Sequence, residues 1–64
     1  MDQMIRIYEG SLSDDTAFDN AERGSNDLAS HGWFVHEMSV YDFHDHNKHS
    51  AYKTQCIVVY RRKG

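Results

Sequence analysis

The sequence predicts an α+β domain: a three-stranded antiparallel sheet in the order 1-3-2, with one helix on one face and elements in the order β-α-β-β. Three observations lead there. Apolar residues alternate at a period of two near the N-terminus and again over two later stretches. Between the first and second of these stretches, small and apolar residues recur at helical spacing. The 64 residues leave room for one domain, residues 1–64, and no second core.

The first strand is read from MIRIY at residues 4–8, where Ile5 and Ile7 point one way and Met4, Arg6 and Tyr8 the other. The turn formers of GSLSDD end it. TAFDNAERGSNDLASHG then reads as a helix, with Thr16 and Asp19 spaced as a capping box. Its expected buried stripe is Phe18, Ala21, Ser25 and Leu28, with Ala29 alongside. Asp14, Asp15 and Asp19 gather at the N-terminal end, where the helix dipole favours negative charge. Gly24 is expected to weaken, bend or divide the helix, and His31-Gly32 to stop it.

WFVHEMSVYDF and AYKTQCIVVYRR are rich in β-branched and aromatic residues and form the last two strands. A two-residue turn at Asn47-Lys48 places His46 opposite His49, Phe43 opposite Tyr52, Asp42 opposite Lys53, Met38 opposite Ile57 and Val35 opposite Tyr60. The helical crossover leaves the first two strands parallel, and the hairpin reverses the third, which can then lie between them. In this register Trp33, Val35, Tyr41, Phe43, Cys56, Val58 and Tyr60 share one face, while Phe34, Met38, Val40, Ile57 and Val59 share the other. Both faces are substantially apolar, either could take the helix, and one bulge would invert part of the assignment. One helix covers one face only. The uncovered apolar surface therefore implies a homo-oligomer or another protein partner, with Phe34, Met38 and Val40 among the contacts.

Composition narrows the function. A chain this short buries only about 60% of the surface that its unfolded form exposes, so reinforcement by a metal or a second copy is expected. A formal charge of −3 argues against direct nucleic-acid binding. There is no apolar run long enough to span a membrane and no signal-peptide core near Met1, and the single cysteine has no disulfide partner, so a cytoplasmic location is expected. Cys56, placed among strand residues, reads as a small core side chain.

The segment NDLASHGWFV carries a resemblance. Leu28, Gly32 and Trp33 match an L-x-x-x-G-W signature, with Val35 apolar beyond it. It resembles the small strand-helix-strand-strand domains of unknown function found in bacteria and phages. The resemblance implies the same topology and no activity, cofactor or catalytic residue. Phe34 departs from it, because an acidic residue commonly follows the tryptophan there, and the histidine-rich loop is a second departure.

That loop, HDHNKH, holds His44, His46 and His49, three of the five histidines. On extended chain His44 and His46 point the same way about 7 Å apart. The assumed turn brings His49 opposite His46, with Cβ atoms about 5 Å apart. Three imidazoles so placed could hold Zn²⁺ or Ni²⁺, with Asp42 on the same side. The competing readings are a solvated hairpin tip and a tip that gains charge in mild acid. Established short zinc signatures add cysteines or a helical H-E-x-x-H, and neither is present. No serine, cysteine or lysine has a recognisable activating partner, and Asp14-Asp15 are explained by capping, so an enzyme is not expected. Asp14, Asp15, Asp19 and Glu22 make the loop and helix acidic, and Arg61, Arg62 and Lys63 make the C-terminus basic. The acidic side suits a basic host surface, the manner in which small acidic phage proteins block host defence complexes. The expectation is a non-enzymatic binding or inhibitor module with no cofactor. Its rival is a transition-metal-binding protein using the histidine loop.

Overall fold

The computed structural model describes residues 1–45 and 51–63. The elements are β1 (Asp2–Ser11), α1 (Thr16–Ala29), β2 (Phe34–Asp45) and β3 (Ala51–Arg62). β3 lies between β1 and β2 and runs antiparallel to both, so the sheet has the expected order 1-3-2 with one helix on one face. Every second residue of β3 points at the helix. Thr54, Cys56, Val58 and Tyr60 are buried, and Ala17 and Ala21 close over them from α1. Met4, Tyr8, Leu28 and Trp33 pack around this core. The central strand holds most of the core because it alone has a neighbour on each side.

The helix sits closer to the sheet, and turned further, than its sequence pattern suggests. Ala17 is fully buried while Phe18 is 43% exposed, so the buried stripe runs through Ala17, Ala21 and Leu28 rather than starting at Phe18. Close approach explains this. A Cβ at Gly10 would collide with the Ala17 backbone, and one at Gly24 would collide with the Tyr8 hydroxyl and lie 2.7 Å from its ring carbons. Small residues let α1 settle onto β1 and onto the Tyr8 ring, which leaves no space for a phenylalanine in between. Gly24 thus serves as the seat for Tyr8, and the helix runs through it unbroken.

Both helix ends follow from local hydrogen bonding. Thr16 is already helical, so the expected capping box with Asp19 does not form. Asp14 instead accepts the Thr16 backbone N–H at 3.0 Å, and the Asp15 carbonyl accepts the Asp19 N–H at 2.8 Å. At the other end the Trp33 N–H donates to the Leu28 carbonyl and the Gly32 N–H to the Ala29 carbonyl, at 3.0 and 3.1 Å. Gly32 has φ of +86°. This pair of bonds with a left-handed glycine is the Schellman arrangement, and Leu28 and Trp33 both pack against the core beside it. The L-x-x-x-G-W spacing is therefore the spacing of a helix stop.

The β2–β3 register differs from the expected one. Phe43 lies opposite Lys53, Asp42 opposite Thr54 and Met38 opposite Val58, one residue out of step with the assumed turn. Val35 lies opposite Tyr60 as expected, because an irregularity between Val35 and Glu37 absorbs the extra residue. His36 is that residue. From Glu37 onward the two faces of β2 are exchanged: Met38 and Val40 point to the helix side, and Tyr41 and Phe43 to the open side with Phe34. The expected pairing of His46 with His49 and the turn at Asn47-Lys48 lie outside the described residues.

Candidate interaction surfaces

Side chains with reactive potential are engaged inside the fold. Tyr60 is almost completely buried, and its hydroxyl bonds the Tyr8 hydroxyl at 2.9 Å and Ser25 Oγ at 2.8 Å. Burial first, and the bond to Tyr60 second, push the Tyr8 phenol up to about 12. The Tyr8 phenol therefore stays protonated at ordinary pH, and this chain of hydroxyls pins α1 to β1 and β3. Burial also pushes the Cys56 thiol up, so it stays protonated and unreactive. A shallow groove between β1 and α1 is lined by Tyr8, Glu9, Asn20, Arg23, Gly24 and Asp27, with Arg6 at one end.

The helix leaves much of the sheet bare. Fourteen residues of α1 measure about 21 Å, whereas the 12-residue strands β2 and β3 run about 40 Å. The helix rests chiefly on β1, less on β3 and least on β2. On its own side of the sheet this exposes Val35, Met38 and Val40 to 47%, 45% and 46%. The groove residues Asn20, Arg23 and Asp27 mark the β1 flank of α1. The 100° step between residues then puts Phe18, Glu22 and Ala29 on the β2 flank. Half-exposed Phe18 therefore borders the same trough as Val35, Met38 and Val40.

Among the described residues no helix covers the other side of the sheet. Cross-strand pairs place Ile5 beside Val59 and Ile7 beside Ile57, a four-residue aliphatic square at the centre. Ile5 and Ile7 are more than half exposed, and Phe34 and Tyr41 are exposed on the same face of β2, with Glu37 and Ser39 between them. Glu9, Gln55, Glu37, Gln3 and Arg61 surround it, with Gln55 donating to Glu9 and Arg61 to Gln3.

The predicted site residues fall into separate places. Asp14, Asp15, Asp19 and Glu22 are all exposed around the first turns of α1. Hydrogen bonds from Thr16, its hydroxyl first and its backbone second, hold the Asp14 carboxyl below the usual carboxylate range. Phe34 is on the open face, apart from Met38 and Val40 on the helix side, which corrects the single face expected for all three. His44 lies opposite Tyr52 with ring centroids 4.6 Å apart. His46 and His49 lie outside the described residues, and among the described residues no group of three histidine, cysteine or acidic side chains is placed to hold a metal. The basic terminus is partly built into the sheet: Arg62 pairs with Asp2 at 2.8 Å and stacks over Trp33 at 4.6 Å.

Reading the sequence missed the trough. Its signal was the polar doublet His36-Glu37, which spaces Val35 and Met38 three apart instead of two and so marks a phase slip. No family model, curated protein or solved structure matches this chain. No helix among the described residues is long and apolar enough to cross a membrane.

Proposed function

We propose that this protein is a non-enzymatic binding or inhibitor module that works through protein–protein contacts as a homo-oligomer. The observation that carries the reading is apolar surface left bare on both faces of one small sheet: Ile5, Ile7, Phe34 and Tyr41 on one, Val35, Met38 and Val40 on the other. Exposed apolar groups of this kind, set among polar residues, serve as contact surfaces. The engaged state of Tyr8, Tyr60, Ser25 and Cys56 supports a role without covalent or acid–base chemistry. The acidic side chains Asp14, Asp15, Asp19 and Glu22 add a surface for a basic partner, consistent with a phage protein that blocks a host complex. A reducing cytoplasm suits the free Cys56.

Sedimentation of the untagged protein over a dilution series, with and without chelator, tests this reading. An oligomer that persists into the micromolar range and ignores chelator is the expected result. A solitary, heat-resistant particle without metal overturns it. Stoichiometric zinc or nickel, with a large loss of melting temperature on chelation, would transfer the function to His44, His46 and His49.

A further inference from the structure

We infer that β2 is the self-association edge: two copies pair antiparallel through β2 about a two-fold axis at Ser39, forming one six-stranded sheet with both helices on the same side. This rests on the oligomer reading above and names its contact. An edge strand presents a row of backbone donors and acceptors to any strand that fits. Among the described residues β2 pairs with β3 alone, and its other edge carries no strand. Its helix side carries Val35, Met38 and Val40 before Asp42 and His44, and its open side carries Phe34, Tyr41 and Phe43 with Glu37 and Ser39 between them.

The occupant follows from self-complementarity. Two-fold pairing that keeps each face on its own side must match residues of equal parity, so the axis passes through a residue. With Ser39 at the axis, Met38 meets Val40 of the second copy, and the symmetric pair completes a four-side-chain apolar cluster on the helix side. On the open side Glu37 meets Tyr41 of the second copy, which places a phenol beside a carboxylate. Moving the axis to Val40 would set Met38 against Asp42 and His36 against His44, and both pairings are worse. The irregularity at His36 ends the regular ladder at each side, so its length is limited to residues 37–41 of each copy. The outer edges of the new sheet are the two β1 strands. There Arg6 is exposed on the helix side, and Glu9, Arg23 and Asp27 line the adjoining groove. A charged fringe of this kind stops further pairing, and the assembly closes as a dimer.

Hydrogen exchange resolved by residue, at high and low protein concentration, tests the pairing in the unmodified chain. The β2 amides that point away from β3 should be protected at high concentration and lose that protection on dilution, while the outward amides of β1 exchange fast throughout. Met38→Lys should weaken association by about a hundredfold or more, since it sets two like charges against an apolar cluster. Ile7→Lys, on the open face, should leave the dimer intact. Circular dichroism confirms that each variant folds. If Ile7→Lys dissociates the oligomer and Met38→Lys does not, or if β1 is protected in place of β2, the edge proposal fails while the oligomer reading stands. A wild-type chain that is monomeric at all concentrations defeats both.

Discussion

β1 and β2 are the two edges of one sheet, and they are treated very differently. β1 has α1 resting against it, an exposed arginine on the helix side, and glycine and alanine contacts that draw the helix in. β2 takes the least of α1, and Val35, Met38 and Val40 stand nearly half exposed. The difference shows how one short helix is allotted between two strands. It goes where the backbones come closest, and Gly10, Ala17, Ala21 and Gly24 make that place β1. The strand left over keeps exposed apolar side chains at Val35, Met38 and Val40, and these carry the proposed self-association.

Breaking the close approach has the largest expected effect. Gly24→Leu drives a side chain into the Tyr8 ring, and overpacking of this kind costs about 3 kcal/mol or more. In so small a domain that removes most of the stability, and urea unfolding should show little or no folded baseline. A stability close to wild type would mean that α1 can rest elsewhere, and the contrast between the edges would lose its cause.

Making β1 resemble β2 comes next. Arg6→Val removes the exposed charge from the helix side of β1, and the protein should then associate beyond a dimer, with sedimentation coefficients that climb with concentration. An unchanged oligomer would show that α1 alone protects that edge. Tyr60→Phe removes the hydroxyl shared by Tyr8 and Ser25 and leaves both without this partner. The cost is about 1–2 kcal/mol, read from the urea midpoint. It should fall on the attachment of α1, with faster exchange in the helix than in the β2–β3 hairpin.

The smallest effect is in acid. Hydrogen bonding and charge from Arg62 lower the folded pKa of Asp2, and hydrogen bonding from Thr16 lowers that of Asp14. A depressed carboxyl contributes stability above its unfolded value, near 3.8, and loses it as pH falls through the folded value. Both groups are exposed, so the fall in urea midpoint below about pH 4 should be slight. Asp2→Asn should remove the Asp2 share of it. It should also loosen Arg62 from Trp33, visible as a change in tryptophan emission. A midpoint that rose in acid would reverse the sign assigned here.

Much of the architecture was legible because short-range rules carry it. The alternation of Cys56, Val58 and Tyr60 made β3 a strand with one buried face. A helix between parallel strands, followed by a hairpin, left room for β3 in the middle. His31-Gly32 marked the helix stop, and Gly32 takes it with φ of +86°. The candidate surfaces were read less completely. Phe34, Met38 and Val40 were grouped on one face because the register was extrapolated from a turn, and the phase slip at His36 separated them. Phe18 was assigned to the core because its helical phase fits about as well as that of Ala17.

Local chemistry in the sequence determined the element order, the helix stop and the presence of more apolar strand surface than one helix can cover. Tertiary packing decided where that surface lies. The rotation of α1 depends on how near two backbones can come, and the faces of β2 depend on where one extra residue is accommodated. Both are set by contacts between segments far apart in the chain; the His36-Glu37 doublet hints at the phase slip, and only packing fixes it.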